Sequence, residues 1–294
     1  MRMTRRILRY VLDFRWGGNS LAALYVSVLS GMVLAWQYDP GDPYYSSGTL
    51  ELVAPFGSFW RSCHFYSSQA FFLLLLGHFM VVLVKRRRTA AANPWYLSGE
   101  LSARTGEAWG RLYLTLPVSL LLLFTGYVLR GDATGRSAGE IGENIILTIP
   151  VLGHWLNLLL FNVSEAGMRV VYADHLIGLG LAWGMLSWNH LRRYRIRFGD
   201  FGPLLVGLLI LNYFLPAPFD PFRVGVFHII GPWFFVGVQE LLRFLPPLPA
   251  GIVFPLIGLA WGYLALKRPG EQRHLFGLAA WLTLYLILTV LGWY

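Results

Sequence analysis

Only one cysteine, Cys63, stands among the 294 residues. A lone thiol excludes an internal disulfide and any cysteine-rich iron–sulfur or zinc site. Charge is scarce as well: 13% of the residues are Asp, Glu, Lys or Arg, with 15 acidic side chains against 24 basic ones. Behind the arginine-rich start MRMTRRILRY there is no nearby small-residue cleavage site. The first apolar run therefore reads as a true first helix and not as a removed signal peptide.

What fills the chain instead is apolar: 56% of it is hydrophobic. Uninterrupted runs long enough to cross a bilayer predict an integral membrane protein and exclude a soluble domain. Seven spans are expected, at about 20–37, 65–84, 112–129, 171–188, 202–216, 251–266 and 275–292, the fifth being short. The fold class that follows is all-α and polytopic.

A net charge of +9 raises the question of nucleic acid, and the placement of the charge answers it. With the N-terminus inside and the loops numbered alternately, Arg2, Arg5, Arg6, Arg9, Arg15, the KRRR at 85–88, Arg104, Arg111, four arginines of RRYRIR at 192–197, Lys267, Arg268 and Arg273 share one side. That side carries 18 of the 24 basic residues. Such asymmetry is the positive-inside pattern, and it places the N-terminus in the cytoplasm and the C-terminus in the periplasm of a bacterial inner membrane. No basic cluster needs a nucleic-acid partner.

Polar side chains inside the apolar runs are the functional signal. RSCHFYSSQAFFLLLLGHF at 61–79 carries His64 and His78, fourteen residues apart. At about 100° per residue, fourteen steps return to within roughly 40° of the start and rise about 21 Å. Both imidazoles thus lie on one side of one helix, one near each leaflet. ADHLIGLGLAWGMLSWNHL holds a second pair, His175 and His190, fifteen apart on one broad face. The topology runs these two helices in the same direction, so His64 shares a depth with His175, and His78 with His190. A single intramembrane histidine is adequately explained by a hydrogen bond to a carbonyl. Matched spacing, direction and depth favour two bis-imidazole sites. Zinc usually takes a third or fourth ligand. Haem iron takes two axial ligands and leaves an apolar macrocycle for the helices to bury. Two haems b are the preferred reading; a transporter or anchor whose histidines merely pack is the non-redox alternative.

The residues also resemble a known family, the cytochrome b proteins of quinol-oxidising bc and b6f complexes. WGGNSLAALYVSVLSGMVLAWQYDP is similar to the family's first helix, with Gly17 and Gly31 at its fourteen-residue glycine spacing. RSCHFYSSQAFFLLLLGHF resembles the R-S-x-H motif with its second ligand fourteen on. FTGYVLRGD, containing Gly126, resembles the family's T-G-Y-x-L-P-W. The stretch 145–162 resembles short apolar helices on the outer face. LPAPFDPF at 215–222 and GPWFFVGVQELLRF at 231–244 resemble the external loop and quinol-site segment of the three-helix subunit that accompanies the b6 type. The resemblance implies a four-helix haem-binding bundle at 1–198 fused to a subunit-IV-like three-helix region at 199–294. It implies His64, His78, His175 and His190 as iron ligands, Gly17, Gly31 and Gly126 as haem-packing positions, and quinone as the substrate. Arg61 and Arg169 are candidates for haem propionates, or else interfacial anchors. A Rieske iron–sulfur protein and a c-type cytochrome are the implied partners.

Departures from the family pattern bear on mechanism. Its P-E-W-Y motif aligns with Gly231, Pro232, Trp233 and Phe234, so the proton-accepting carboxylate is gone. Glu240 and His228 are the candidates to replace it. Arg130 and Gly131 stand where the family has Pro-Trp, Leu112 stands where a partner glycine to Gly126 belongs, and Arg15 occupies the place of a cysteine that attaches an extra haem. Asp174 is a candidate to orient the His175 ring or to join a proton path. The chain is expected to be a subunit of a quinol oxidoreductase. The alternative is a non-bifurcating dihaem subunit that works with quinone but without a Rieske protein.

Overall fold

The computed structural model describes residues 11–92, 100–222 and 229–294, with the side chains of all of these except 100–106, 165, 166 and 198. Among the described residues there is no strand. The main helices are α1 (Trp16–Ala35), α2 (Pro43–Leu52), α3 (Gly57–Ala92), α4 (Glu100–Tyr113), α5 (Thr115–Val128), α6 (Ala133–Leu147), α7 (Gly153–Leu160), α8 (Arg169–Leu191), α9 (Gly202–Phe214), α10 (Val236–Leu241), α11 (Pro249–Lys267) and α12 (Gln272–Leu291). Six stretches, namely α1, α3, Glu107–Val128, α8, α11 and α12, are long and apolar enough to cross a membrane. Their outward faces carry Leu29, Met32, Leu181, Met185 and Leu286, each more than 60% or about 60% exposed. A layer of large aliphatic side chains on the outside is stable in lipid and costly in water.

The expected fifth span falls short. Gly199–Phe214 is an apolar helix of 10–17 residues and reaches only about 24 Å, against about 30 Å of hydrocarbon. The second span is longer than its apolar stretch. α3 has 36 residues, about 54 Å, because Lys85–Ala92 continues the helix with strong helix formers after hydropathy has ended. The stretch 145–162 is two pieces. α6 ends at Leu147, the chain turns through Val151 at φ 64°, and α7 starts at Gly153. A Cβ at Gly153 would meet the Ile146 carbonyl oxygen at 2.5 Å, so the turn is tight enough to require glycine. Glu143 holds the corner together, accepting from Asn157 Nδ2 at 2.7 Å and from the Ser164 amide and hydroxyl at 3.0 and 2.9 Å.

Small residues let α1 lie close along α3. Gly18, Ser20, Ala22, Ala23, Ser27 and Ser30 of α1 are buried, and Ser20 Oγ donates to the Phe71 carbonyl at 3.0 Å. Gly77 of α3 accommodates the Trp16 ring. Close backbones and interhelical hydrogen bonds are how helices associate without a hydrophobic driving force between them. α5 packs on α3 and α8. At the chain's other end, α11 and α12 exchange tryptophans: Trp261 fills the notch at Gly277, and Trp281 fills the notch at Gly258.

One irregular loop ties together elements distant in the chain. Around 215–222, the Ala217 amide donates to Ser62 Oγ at 2.9 Å, and the Asp220 amide donates to Asp132 at 2.9 Å. Arg130 pairs with Asp132 and, at 2.8 Å, with Asp220, while its guanidinium lies 4.7 Å from the Tyr127 ring centroid. The Arg130–Gly131 departure from the family pattern is thus a buried ionic clasp between α5 and this loop. Gly131, at φ 68°, brings the backbone against Pro43 and Tyr44.

Candidate functional site

α3 and α8 face each other through their side chains, with the histidines level. The ring centroids of His64 and His175 are 6.1 Å apart at an interplanar angle of 79°. Those of His78 and His190 are 6.4 Å apart at 45°. Midway between the pairs by sequence, Phe71 and Trp183 meet edge to face at 5.6 Å, and Trp183 Nε1 donates to Ser119 Oγ of α5 at 3.0 Å.

Neighbouring helices fix how two of the rings present themselves. His64 Nδ1 lies 2.8 Å from the Ser27 carbonyl oxygen of α1, which can only accept, so Nδ1 carries the proton and Nε2 keeps its lone pair. His175 Nδ1 lies 2.9 Å from Thr125 Oγ1. The Thr125 hydroxyl already donates to the Leu121 carbonyl at 2.8 Å, so toward His175 it accepts. His175 is thereby held in the same tautomer as His64. Hydrogen bonding at one ring nitrogen is what commonly orients a metal-binding imidazole and raises its basicity at the other. Asp174, a candidate orienting group, has no hydrogen bond to the His175 ring among the described residues. It opens the wide turn Asp174–Gly178, and its Oδ2 has no partner among the described residues.

The glycines singled out by sequence lie against these rings. A Cβ on Gly17 would sit 3.0 Å from His78, one on Gly31 would sit 2.9 Å from His64, and one on Gly126 would sit 3.0 Å from His175. Leu112, in the position where a fourth glycine was expected, lines a cavity of about 830 Å³ together with His78, His190, Gly17, Trp16 and Lys85. That volume is within the usual range for bound small molecules and cofactors, about 300–1,000 Å³. Among the described residues no group of three or more His, Cys, Asp or Glu side chains is gathered as for a metal ion. Each level offers two imidazole rings, and the cavity at the His78–His190 level is walled by Leu, Phe and Trp side chains with Lys85 and Arg15 among its charged lining. That donor set suits a metal whose remaining positions are filled by its own flat ligand.

Other candidate residues go elsewhere. Arg61 is engaged by protein groups: its Nε pairs with Glu51 at 2.6 Å, its guanidinium donates to the Ala217 and Pro218 carbonyls, and it lies over the Phe219 ring at 5.3 Å. It braces the 215–222 loop, a role the sequence does not signal because its partners are distant in the chain. Arg169 is exposed at the start of α8. Arg15 pairs with Asp200 at 2.8 Å on the rim of the cavity. Glu240 is buried in α10 and pairs with Arg243 at 3.0 Å. His228 lies outside the described residues. The segment at 231–235 is pinned in place. The Gly231 amide donates to Gln239 Oε1 at 2.8 Å, Trp233 Nε1 donates to Gln69 at 2.8 Å, and Tyr285 donates to the Phe234 carbonyl at 2.6 Å. Ser27 and Thr125 are the contributors that sequence reasoning missed. Thr125 stands in the FTGY motif, and Ser27 acts through its backbone, which leaves no signature.

Comparisons with known proteins point to one family by sequence and to a shared fold. Residues 95–193 match the family model described as Cytochrome b(N-terminal)/b6/petB. That match includes His175 and His190 and stops short of the α3 pair. Cytochrome b of Chlamydomonas reinhardtii is 25% identical over 303 aligned positions, covering 85% of this chain and 76% of that protein. Cytochrome b6 of Heliomicrobium gestii is 29% identical over 160 positions, covering 53% of this chain and 67% of that one. A solved structure titled Hyperthermophilic respiratory Complex III superposes with a TM-score of 0.66 at 18% identity, covering 97% of this chain and 84% of its own. At that identity the likeness speaks for the fold.

Proposed function

The chain carries a cytochrome b N-terminal/b6 domain at residues 95–193 and resembles the cytochrome b family over most of its length; from that premise we propose that it is the dihaem membrane subunit of a quinol-oxidising electron-transport complex. In this reading His64 and His175 hold one haem b, and His78 and His190 hold the other. The observation that carries it is the pair of ring separations, 6.1 and 6.4 Å. Two metal–nitrogen bonds of about 2 Å, with half a ring at each end, require a separation of about 6 Å. Support comes from the protonated Nδ1 of His64 and His175, which leaves Nε2 free, and from the three glycines that keep the rings' surroundings clear of side chains.

Bound haem iron supplies one-electron transfer between the two depths. The chain's own part is to fix the axial rings, bury the macrocycles and keep water away. α1, α3, α4–α5 and α8 form the haem-binding bundle, and residues 199–294 form the subunit-IV-like part. α9 serves as the seventh crossing, with the membrane thinned or the helix ends solvated locally. The basic ends face the cytoplasm. Moving one charge across the membrane is worth about 2.3 kcal/mol per 100 mV, so the direction of electron flow couples to the membrane potential. Quinol binds near 231–235, and a Rieske protein, a c-type cytochrome or both take electrons at the periplasmic face.

A specific observation favours the second reading, a dihaem quinone-interacting subunit without bifurcation or a Rieske partner. The Gly231–Pro232 segment offers no carboxylate, and Glu240 is already paired with Arg243. The test is haem per polypeptide after purification in mild detergent, together with the co-purifying subunits. Two haems b per chain are expected, with one retained in His64→Ala and one in His78→Ala. One haem or none in the unaltered protein overturns the dihaem reading. A co-purifying Rieske protein selects the first version, and its absence from an active complex selects the second.

A further inference from the structure

A second groove, of about 510 Å³, lies between the basic end of α3 and the start of α12, lined by Arg87, Gln272, Arg273, Leu275, Phe276 and Ala279. Its upper part is cationic. Arg87 is half-buried and has no ion pair among the described residues. Arg273 uses Nε and Nη2 to reach Glu271, at 2.7 and 2.6 Å, which leaves Nη1 without a partner among the described residues. Glu271 is shared further, with Arg268 at 3.4 Å and His274 at 3.0 Å. One carboxylate therefore faces two guanidinium groups while Arg87 stands apart from it, and the cluster keeps an excess of positive charge. The lower part is apolar and turned outward: Leu275 and Ala279 are one helical turn apart, and Phe276 beside them is 77% exposed.

Depth completes the case. Leu83 of α3 packs with Leu278 of α12 in one buried cluster, and the basic run begins two residues later at Lys85. The arginines thus stand where the apolar layer gives way to headgroups, and Leu275, Phe276 and Ala279 run down into it. A basic pocket between membrane helices over an apolar floor is suited to an anionic headgroup with its chain attached. Free phosphate would use the arginines and leave the floor idle. We propose that this groove binds one anionic phospholipid, its phosphate on Arg87 and Arg273 and the beginning of an acyl chain along Leu275, Phe276 and Ala279. The proposal does not depend on haem occupancy.

Native mass spectrometry of the full chain in mild detergent tests it, with phosphatidylglycerol, phosphatidylcholine and inorganic phosphate titrated in separate arms. One phosphatidylglycerol is expected to bind in preference to phosphatidylcholine. Arg87→Gln and Arg273→Gln should each weaken it about fivefold, the effect of one basic side chain at an anionic headgroup. Phe276→Ala should weaken the lipid, and Arg88→Gln, which is exposed and outside the groove, should leave it unchanged. Equal binding of both lipids, equal loss in Arg88→Gln, or displacement of the lipid by an equal concentration of inorganic phosphate overturns the proposal. Should Arg87→Gln fail to fold, Arg273→Gln decides alone, since its side chain is 69% exposed.

Discussion

Replacing Thr125 by valine keeps the shape of the side chain and removes one hydroxyl. Thr125 is 2% exposed, and its hydroxyl donates to the Leu121 carbonyl and accepts from His175 Nδ1 at 2.9 Å. A buried N–H deprived of its acceptor costs about 1–3 kcal/mol. Loss of a partner that orients a ligand imidazole commonly lowers metal affinity by about 10–100-fold. The substitution leaves the ring and its packing in place, so the lower figure applies. Thr125→Val should release the haem at the His64–His175 level about tenfold faster to an apoprotein acceptor, with the haem at the His78–His190 level unaffected. Thr125→Ser retains the hydroxyl and should behave as the unaltered protein. The optical signals of the two haems, followed during transfer, provide the assay. Equal release rates in all three proteins would refute the argument that Thr125 fixes the tautomer of His175.

The remaining expectations are as direct. Gly31→Val and Gly17→Val place side chains at 2.9 Å from His64 and 3.0 Å from His78; each should cost the haem of its own level only, read as the haem-to-protein ratio. Arg130→Met leaves Asp132 and Asp220 without their shared cation, and removal of one partner of a buried pair costs about 3–5 kcal/mol, seen as a drop in melting temperature. The Asp132 carboxylate retains the Gly135 and Asp220 amides, so the lower end of that range is expected. The Arg273 guanidinium beside Glu271 holds its carboxyl below the usual value of 4.5. Its stabilisation is present above that value and fades as the pH falls through the depressed one. Glu271→Gln should therefore lower the melting temperature at pH 7, by less as the pH falls below 4.5, and added salt should shrink the difference.

How far the sequence could be read depended on whether a feature is periodic. His64, His78, His175 and His190 announce themselves by helical arithmetic, and the structure places them level in two pairs. Gly17, Gly31 and Gly126 follow from motif spacing and lie against those rings. Hydropathy locates the apolar runs but stops at Val84, because a helix that leaves the membrane continues on propensity alone. It also marks 202–216 as a span, where the helix is too short for the usual thickness. Arg61 could not be placed, since Glu51 and the carbonyls of Ala217 and Pro218 converge on it only in three dimensions. The acceptors that orient His64 and His175 were equally hidden. One is a backbone carbonyl available at any residue, and the other is a threonine that hydropathy cannot distinguish from its neighbours.

The tryptophan exchange between α11 and α12 restricts how this end of the molecule can move. Trp261 against Gly277 and Trp281 against Gly258 belong to one antiparallel register, and Trp281 is further latched to the Phe254 carbonyl at 2.9 Å. A slip of either helix by one turn would drive both indoles out of their sockets together and set Trp261 against Arg273 or Trp281 in place of Gly277. Sliding is thereby closed off as a low-energy mode. The C-terminal hairpin can rock or tilt in the bilayer only as one rigid lever, with its fulcrum wherever the rest of the chain grips it.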